Sequence, residues 1–186
     1  MSRFKICSTS IEGLQILERQ PIGDSRGYFE RVFCETDLKD LLNGRHILQI
    51  NQSFTISKGA VRGLHFQSAP HAEMKILSCL RGEVWDVAVD LRAGSKTFLK
   101  WHAEILSENN HRALLIPEGF AHGFQTITDN CTMLYLHTAA YCQTAEGGLH
   151  TQDPHIRISW PLPIAEISRR DASHPLITDD FKGLQL

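Results

Sequence analysis

From Gln49 onward the chain falls into strand-sized apolar runs separated by turn signals: QINQSFTI, AVRGLHFQ, MKILSCL, EVWDVAVDL, FLKWHAEIL, RALLIP, HGFQTIT and CTMLYLHTAAY. Runs of this length at this spacing predict β-strands of a sandwich or barrel. EVWDVAVDL alternates with period two, the pattern of a strand packed on one face. Helical spacing is confined to one short stretch, Thr36–Leu42, for which Thr36 is the expected N-cap. Short turn clusters such as Gly23–Gly27 and Arg92–Ser95 punctuate the chain, with no repeat, low-complexity tract or Pro/Gly/Ser linker. The expectation is an all-β chain, one domain over residues 1–186, folded as a double-sheet jelly roll of mostly antiparallel strands with short peripheral helices.

Composition narrows the function classes. Nineteen Lys and Arg against 21 Asp and Glu give a net charge of -2, which supplies no basic field for a phosphate backbone and argues against nucleic acid as a partner. No window approaches the ~20 apolar residues that span a bilayer, and the N-terminus has no apolar run before a small-residue cleavage site. A cytoplasmic protein without a membrane partner is expected. Five cysteines at 7, 34, 79, 131 and 142 form no CxxC pair, so reduced thiols are expected. Ten histidines bring metal ligation into consideration.

Several segments carry candidate chemistry. Arg62 and His65 lie on one strand, three residues apart, so strict alternation sends them to opposite faces and a shared site requires a distortion at Gly63. Taken alone, His65 reads equally as a hydrogen-bonded core histidine and Arg62 as a surface cation. Lys75, between Met74 and Ile76, is either a partly desolvated cation able to stabilise an oxyanion or an edge lysine reaching solvent. Met133, Tyr135 and His137 share one strand face, where Tyr135 is an available acid or an ordinary packing tyrosine. Ser168-Arg169-Arg170-Asp171 reads by itself as a solvated turn. The Pro-x-Gly-x-x-His spacing of Pro117, Gly119 and His122 resembles the second motif of cupin jelly rolls. The stretch matching the first motif has His65 but Gln67 in place of a second histidine, followed by Glu73. Losing one imidazole favours a metal-free pocket, so no metal and no cofactor are expected.

Together these segments resemble the dTDP-4-dehydrorhamnose 3,5-epimerase family. The resemblance runs from Gly23 to Asp171 through DSRGYFERVF (24–33), QINQS (49–53), VRGLHFQ (61–67), GEVWDVAVDLR (82–92), IPEGFAHGFQT (116–126), TQDPHIRISWPLP (151–163) and SRRD (168–171). It implies a cupin jelly roll that forms a homodimer, each nucleotide site completed by the other subunit's N-terminal region. The implied substrate is a nucleotide-linked 4-keto-6-deoxy sugar, inverted at carbon 3, carbon 5 or both. By position His65 matches the general base, Asp171 its carboxylate partner, Tyr135 the general acid and Lys75 the cation near the keto oxygen, with His122 lining the same pocket. Arg26, Gln49, Asn51, Arg62, Glu146 and Arg170 match contacts to the nucleotide sugar, and Tyr141 lies near the base-stacking position.

The sequence departs from the family pattern at Arg31, at Ile50 in place of an aspartate, and at Thr151 and Gln152 in place of Trp and Asp. These departures neighbour nucleotide-contacting segments and leave the base open between thymidine, guanosine and cytidine. Two rival readings follow from the same residues. One is a metal-dependent cupin enzyme using His65, Glu73 and His122; the other is a sugar-nucleotide binding module without catalysis.

Overall fold

A computed structural model describes residues 2–186. The N-terminal part forms β1 (Phe4–Ser8), β2 (Gln15–Arg19), the hairpin β3 (Ile22–Asp24) and β4 (Gly27–Phe29), and the helix α1 (Glu35–Leu42). There follow β5 (Gln49–Thr55), β6 (Ala60–Gln67), β7 (Lys75–Arg81), β8 (Glu83–Asp90), β9 (Trp101–Ser107), β10 (Arg112–Ile116), β11 (Phe120–Thr126) and β12 (Cys131–His137). The chain ends with β13 (Glu146–Gly148), β14 (Glu166–Ile167) and the one-turn helix α2 (Arg169–Ala172). Each apolar run read from the sequence is a strand, β6 with the expected bounds. β1, β3 and β4 went unforeseen because they are short and largely exposed, and β2 because its five residues are a short run of mixed polarity. No helix among the described residues is long and apolar enough to cross a membrane.

Two six-stranded sheets make up the jelly roll. One runs β1-β2-β10-β7-β12-β5, the other β13-β6-β11-β8-β9 with β14 also on β6; apart from the parallel β14–β6 pair, neighbours are antiparallel. Between the sheets, Leu77, Leu114 and Met133 of the first meet Val84, Phe120 and Phe124 of the second in a continuous core. Burial of such side chains contributes about 1.5–3 kcal/mol each, and it fixes register, because a one-residue slip would turn every inward residue outward.

Both sheets are covered on the outside as well. Leu38 and Leu42 of α1 pack on Ile76, Leu115 and Leu136. On the second sheet, Leu149, Ile156 and Ile177 of the C-terminal segment cover Leu64, Val87 and Val89. The alternation in β8 therefore does not mark a one-faced strand: its outward Val87 and Val89 are buried beneath the C-terminal chain, a cover the local pattern cannot reveal.

The helix begins earlier than its sequence signal. Cys34, not Thr36, is the N-cap, and it makes no side-chain capping bond. Glu35 and Asp37 in the first turn oppose the positive end of the helix dipole, and the two buried leucines hold the helix to the sheet. Asn43 closes it in the left-handed conformation at φ 47°.

Candidate active site

A cleft of about 370 Å³ opens between the sheets, lined by residues of β5, β6, β7, β11, β12, β13 and α2. His65 and His122 are partners in the β6–β11 pairing, after which the register shifts before Phe124 pairs with Arg62. The shift centres on Gly63, at φ +114°, where a Cβ would stand 2.6 Å from the His122 carbonyl oxygen and from Gly123 Cα. Only glycine permits that approach, and the irregularity lets Arg62 and His65 line one cleft despite their spacing.

Asp171 is drawn out of solvent. Ser168 caps α2 by accepting from the Asp171 N–H, and the carboxylate is turned inward, 4% exposed, so the solvated-turn reading of this segment is corrected. His65 Nε2 donates to Asp171 Oδ1 at 2.8 Å, and the Gly63 N–H donates to Oδ2 at 3.0 Å. Burial pushes the Asp171 carboxyl up, but the hydrogen bonds from His65 and Gly63 outweigh it and hold it at about 2. His65 itself remains about one third exposed, open to a ligand.

Tyr135 and Ser53 share a hydrogen bond of 2.8 Å between hydroxyls. Burial raises the Tyr135 phenol well above its ordinary value, against the smaller opposing effect of Ser53, so it stays protonated. Its ring stands edge-on to His122 and stacks on His137. His122 Nε2 lies 2.9 Å from Asp86 Oδ2; both are buried, and burial pushes the Asp86 carboxyl up while His122 opposes that.

Of the two readings of Lys75 the structure shows the buried one, and the side chain pairs with Glu73 at 3.1 Å. Glu73 also accepts from His137 Nδ1 at 2.7 Å. Burial pushes Glu73 up, but His137 and Lys75 together leave it below the usual carboxylate value.

At the rim Tyr141 donates to Glu146 at 2.9 Å, and Glu146 forms an ion pair with Arg170. Gln49 donates to Asn51 at 3.2 Å and accepts from the Tyr141 N–H at 3.0 Å. Arg62 is held by Thr55 Oγ1 at 2.9 Å and the Phe54 carbonyl at 3.2 Å. The fold thus gathers eleven of the twelve sequence-derived site residues into one cleft. Arg26 is the exception: it sits in the β3–β4 hairpin, exposed and paired with Asp24, away from the cleft.

Sequence reasoning missed Asp86, Ser53 and the part played by His137. A polar residue at an inward position of an otherwise apolar strand was the available signal for Asp86, and for His137 it was the shared face with Tyr135. Gln67, standing where a second histidine would be, donates to the His71 and Ala140 carbonyls and accepts from the Cys142 N–H, so it braces backbone. The donor set of the metal-dependent reading is not assembled: among the described residues His65, Glu73 and His122 do not converge as a group of donors.

Comparison with known proteins agrees with this architecture. A sequence model described as dTDP-4-dehydrorhamnose 3,5-epimerase matches residues 8–179. The dTDP-4-dehydrorhamnose 3,5-epimerase of Salmonella typhimurium is 40% identical over 174 residues, 92% of this chain and 94% of that protein. A dTDP-4-dehydrorhamnose 3-epimerase of Streptomyces niveus is 35% identical over 171 residues, 91% and 82% of the two chains. The crystal structure of dTDP-6-deoxy-D-glucose-3,5-epimerase from Legionella pneumophila, in complex with dTDP-4-keto-L-rhamnose, superposes with a TM-score of 0.90 at 38% identity, covering 98% of this chain and 99% of that one.

Proposed function

The chain belongs to the dTDP-4-dehydrorhamnose 3,5-epimerase family of cupin-fold isomerases, and we propose that it inverts carbon 3, carbon 5 or both of a nucleotide-linked 4-keto-6-deoxy sugar by proton transfer through an enolate. The observation that carries this reading is the His65–Asp171 pair, 2.8 Å apart, opening on the same cleft as Tyr135.

The 4-keto group acidifies the hydrogens on carbons 3 and 5, yet a base working near neutrality still needs the enolate stabilised. His65 is the proposed base. With Nε2–H donated to Asp171, the free lone pair is on Nδ1, and the carboxylate fixes that tautomer and favours the imidazolium formed when the proton is taken. Lys75 supplies the positive charge for the developing oxyanion, with Glu73 and His137 fixing its place. Inversion needs the proton returned to the opposite face, and the protonated Tyr135 hydroxyl is the proposed donor. Carbon 4 returns to a ketone, so the reaction requires no net oxidation or reduction.

The rim residues suit the nucleotide diphosphate. Arg62 and Arg170 offer planar donor arrays for phosphate, and Tyr141, more than half exposed, offers a ring for the base. The dTDP of the relatives' names makes a dTDP-linked sugar the first substrate to test. A second copy of the chain is part of this reading. The hairpin bearing Arg26 also exposes Ile22, Tyr28 and Phe29, an apolar face suited to burial against a second subunit, where Arg26 would reach the partner's nucleotide.

The test is incubation with nucleotide-linked 4-keto sugars in deuterated water. Mass gain counts the exchanged centres, distinguishing a 3-epimerase from a 3,5-epimerase. His65→Ala and His65→Asn are expected to abolish exchange; unchanged exchange in both rejects the reading.

A further inference from the structure

Beside Asp171, outside the lining of the cleft, lies a second histidine that the proposed reaction does not use. His174 follows α2, and its ring stands edge-on to His65 with centroids 5.7 Å apart. Its Nε2 is buried, lacks a hydrogen-bond partner and lies 3.8 Å from Asp171 Oδ1, the oxygen that accepts from His65. Gly148 makes room for it. This residue pairs with His65 in the β13–β6 register, and a Cβ there would stand 2.3 Å from His174 Nε2. The imidazole therefore occupies the volume a side chain at 148 would fill, and it is aimed at the carboxylate.

Two imidazoles and one carboxylate thus converge, their donor atoms all within 4.8 Å of one another, and among the described residues no other His, Cys, Asp or Glu group of three does so. We propose that His65, Asp171 and His174 form a binding site for one borderline divalent transition-metal ion such as Zn²⁺, and that its occupancy silences the base.

The site closes by an inward shift of the imidazoles, since the three donors stand within 4.8 Å of one another. Bonds of about 2.0–2.2 Å in a tetrahedral site put neighbouring donors roughly 3.3 Å apart. The two Asp171 separations, 2.8 and 3.8 Å, bracket that spacing. Oδ2 stays anchored by the Gly63 N–H, the kind of outer support that orients a metal-binding carboxylate. Nitrogen donors beside a single carboxylate select zinc, copper or nickel over magnesium or calcium.

The proton balance explains the silencing. A metal on His65 Nε2 displaces the hydrogen that Nε2 donates to Asp171, and in the neutral ring that hydrogen moves to Nδ1. No net proton is released, but Nδ1 no longer has the lone pair that would accept one from the sugar. Binding rests on the geometry alone, whereas silencing rests on the proposed role of His65.

The experiment is calorimetric titration of chelator-treated full-length protein with Zn²⁺, with Co²⁺ absorption as a spectroscopic check. Wild type is compared with His174→Gln and with His174→Phe, which keeps the ring shape without a donor. Solvent deuterium exchange is measured on metal-loaded and metal-free samples, so each variant is its own reference. One ion per wild-type chain is expected, weakened at least ~100-fold in both variants, the upper end for losing an outer partner alone. Exchange in wild type should stop on loading and return with chelator. Absence of stoichiometric binding, or equal binding by all three proteins, overturns the site. Binding that depends on His174 but leaves exchange intact keeps the site and rejects His65 as the base.

Discussion

Asp171 reaches His65 across 106 positions of sequence to place its carboxylate 2.8 Å from the ring, while the strand bearing His65 donates a backbone N–H to the other oxygen of that carboxylate. The carboxylate is thus held at both oxygens and carries no rotational freedom. Asp171→Asn keeps the shape but lets the amide present a donor to the ring, favouring the wrong tautomer. Deuterium exchange is expected to fall by about 10²–10⁴, near the loss seen when a triad aspartate is made an amide. A thermal melt close to wild type would assign that loss to chemistry.

Tyr135→Phe removes the proposed acid and leaves the base. Exchange on the His65 face should persist while inversion falls, so that deuterium enters with retained configuration. NMR of the recovered sugar separates the two outcomes, and equal loss of exchange and inversion would remove Tyr135 from its role.

Lys75→Met keeps the length and apolar stem of the side chain and deletes the charge. Removing one stabilising group from an oxyanion costs about 10²–10³ in kcat, and KM should change far less. Glu73, deprived of its ion-pair partner, should move upward in pKa, measurable by carboxyl NMR.

Asp90, like Asp171, makes stability depend on pH. Burial pushes its carboxyl up, but hydrogen bonds from Arg92, Ser95 and Thr97 outweigh it and hold it at about 2, against 3.8 ordinarily. Because the folded value is depressed, its contribution of about 2 kcal/mol is complete above the unfolded value and is lost as pH falls through 3.8 toward 2. Denaturant midpoints of wild type and Asp90→Asn should differ at pH 7 and converge near pH 2.

Gly63→Ala should lower stability by at least about 1–3 kcal/mol, since the new Cβ meets backbone 2.6 Å away at a φ that side chains avoid. Exchange should fall with it, because the same backbone shift aligns Arg62 with His65. Urea unfolding and the exchange assay read the two effects.

Much of this architecture was legible in the sequence because the central strands bury what their spacing implies. The face of Met133, Tyr135 and His137 and the required distortion at Gly63 follow from local pattern, whereas Lys75 stayed open between a desolvated and an edge position. What stayed hidden depends on distant chain. β8 read as packed on one face, yet residues 149–177 cover Val87 and Val89 while Val84 and Ala88 lie in the core between the sheets, and Asp171 looked solvated because its partners lie on β6. The helix start misled for a different reason: Cys34 takes the cap without a side-chain bond, so packing of Leu38 and Leu42 sets the boundary in place of the Thr36 signal. Arg26 is the one predicted site residue that stands outside the cleft, on the β3–β4 hairpin.

The span between His65 and Asp171 also bears on biogenesis. During synthesis the barrel strands leave the ribosome well before the segment that carries the carboxylate, so a nascent jelly roll can close while its imidazole still lacks the acceptor that orients it. Turnover should therefore be the last property a maturing molecule acquires, and a chain stalled between β12 and α2 would register as folded by circular dichroism yet be catalytically silent.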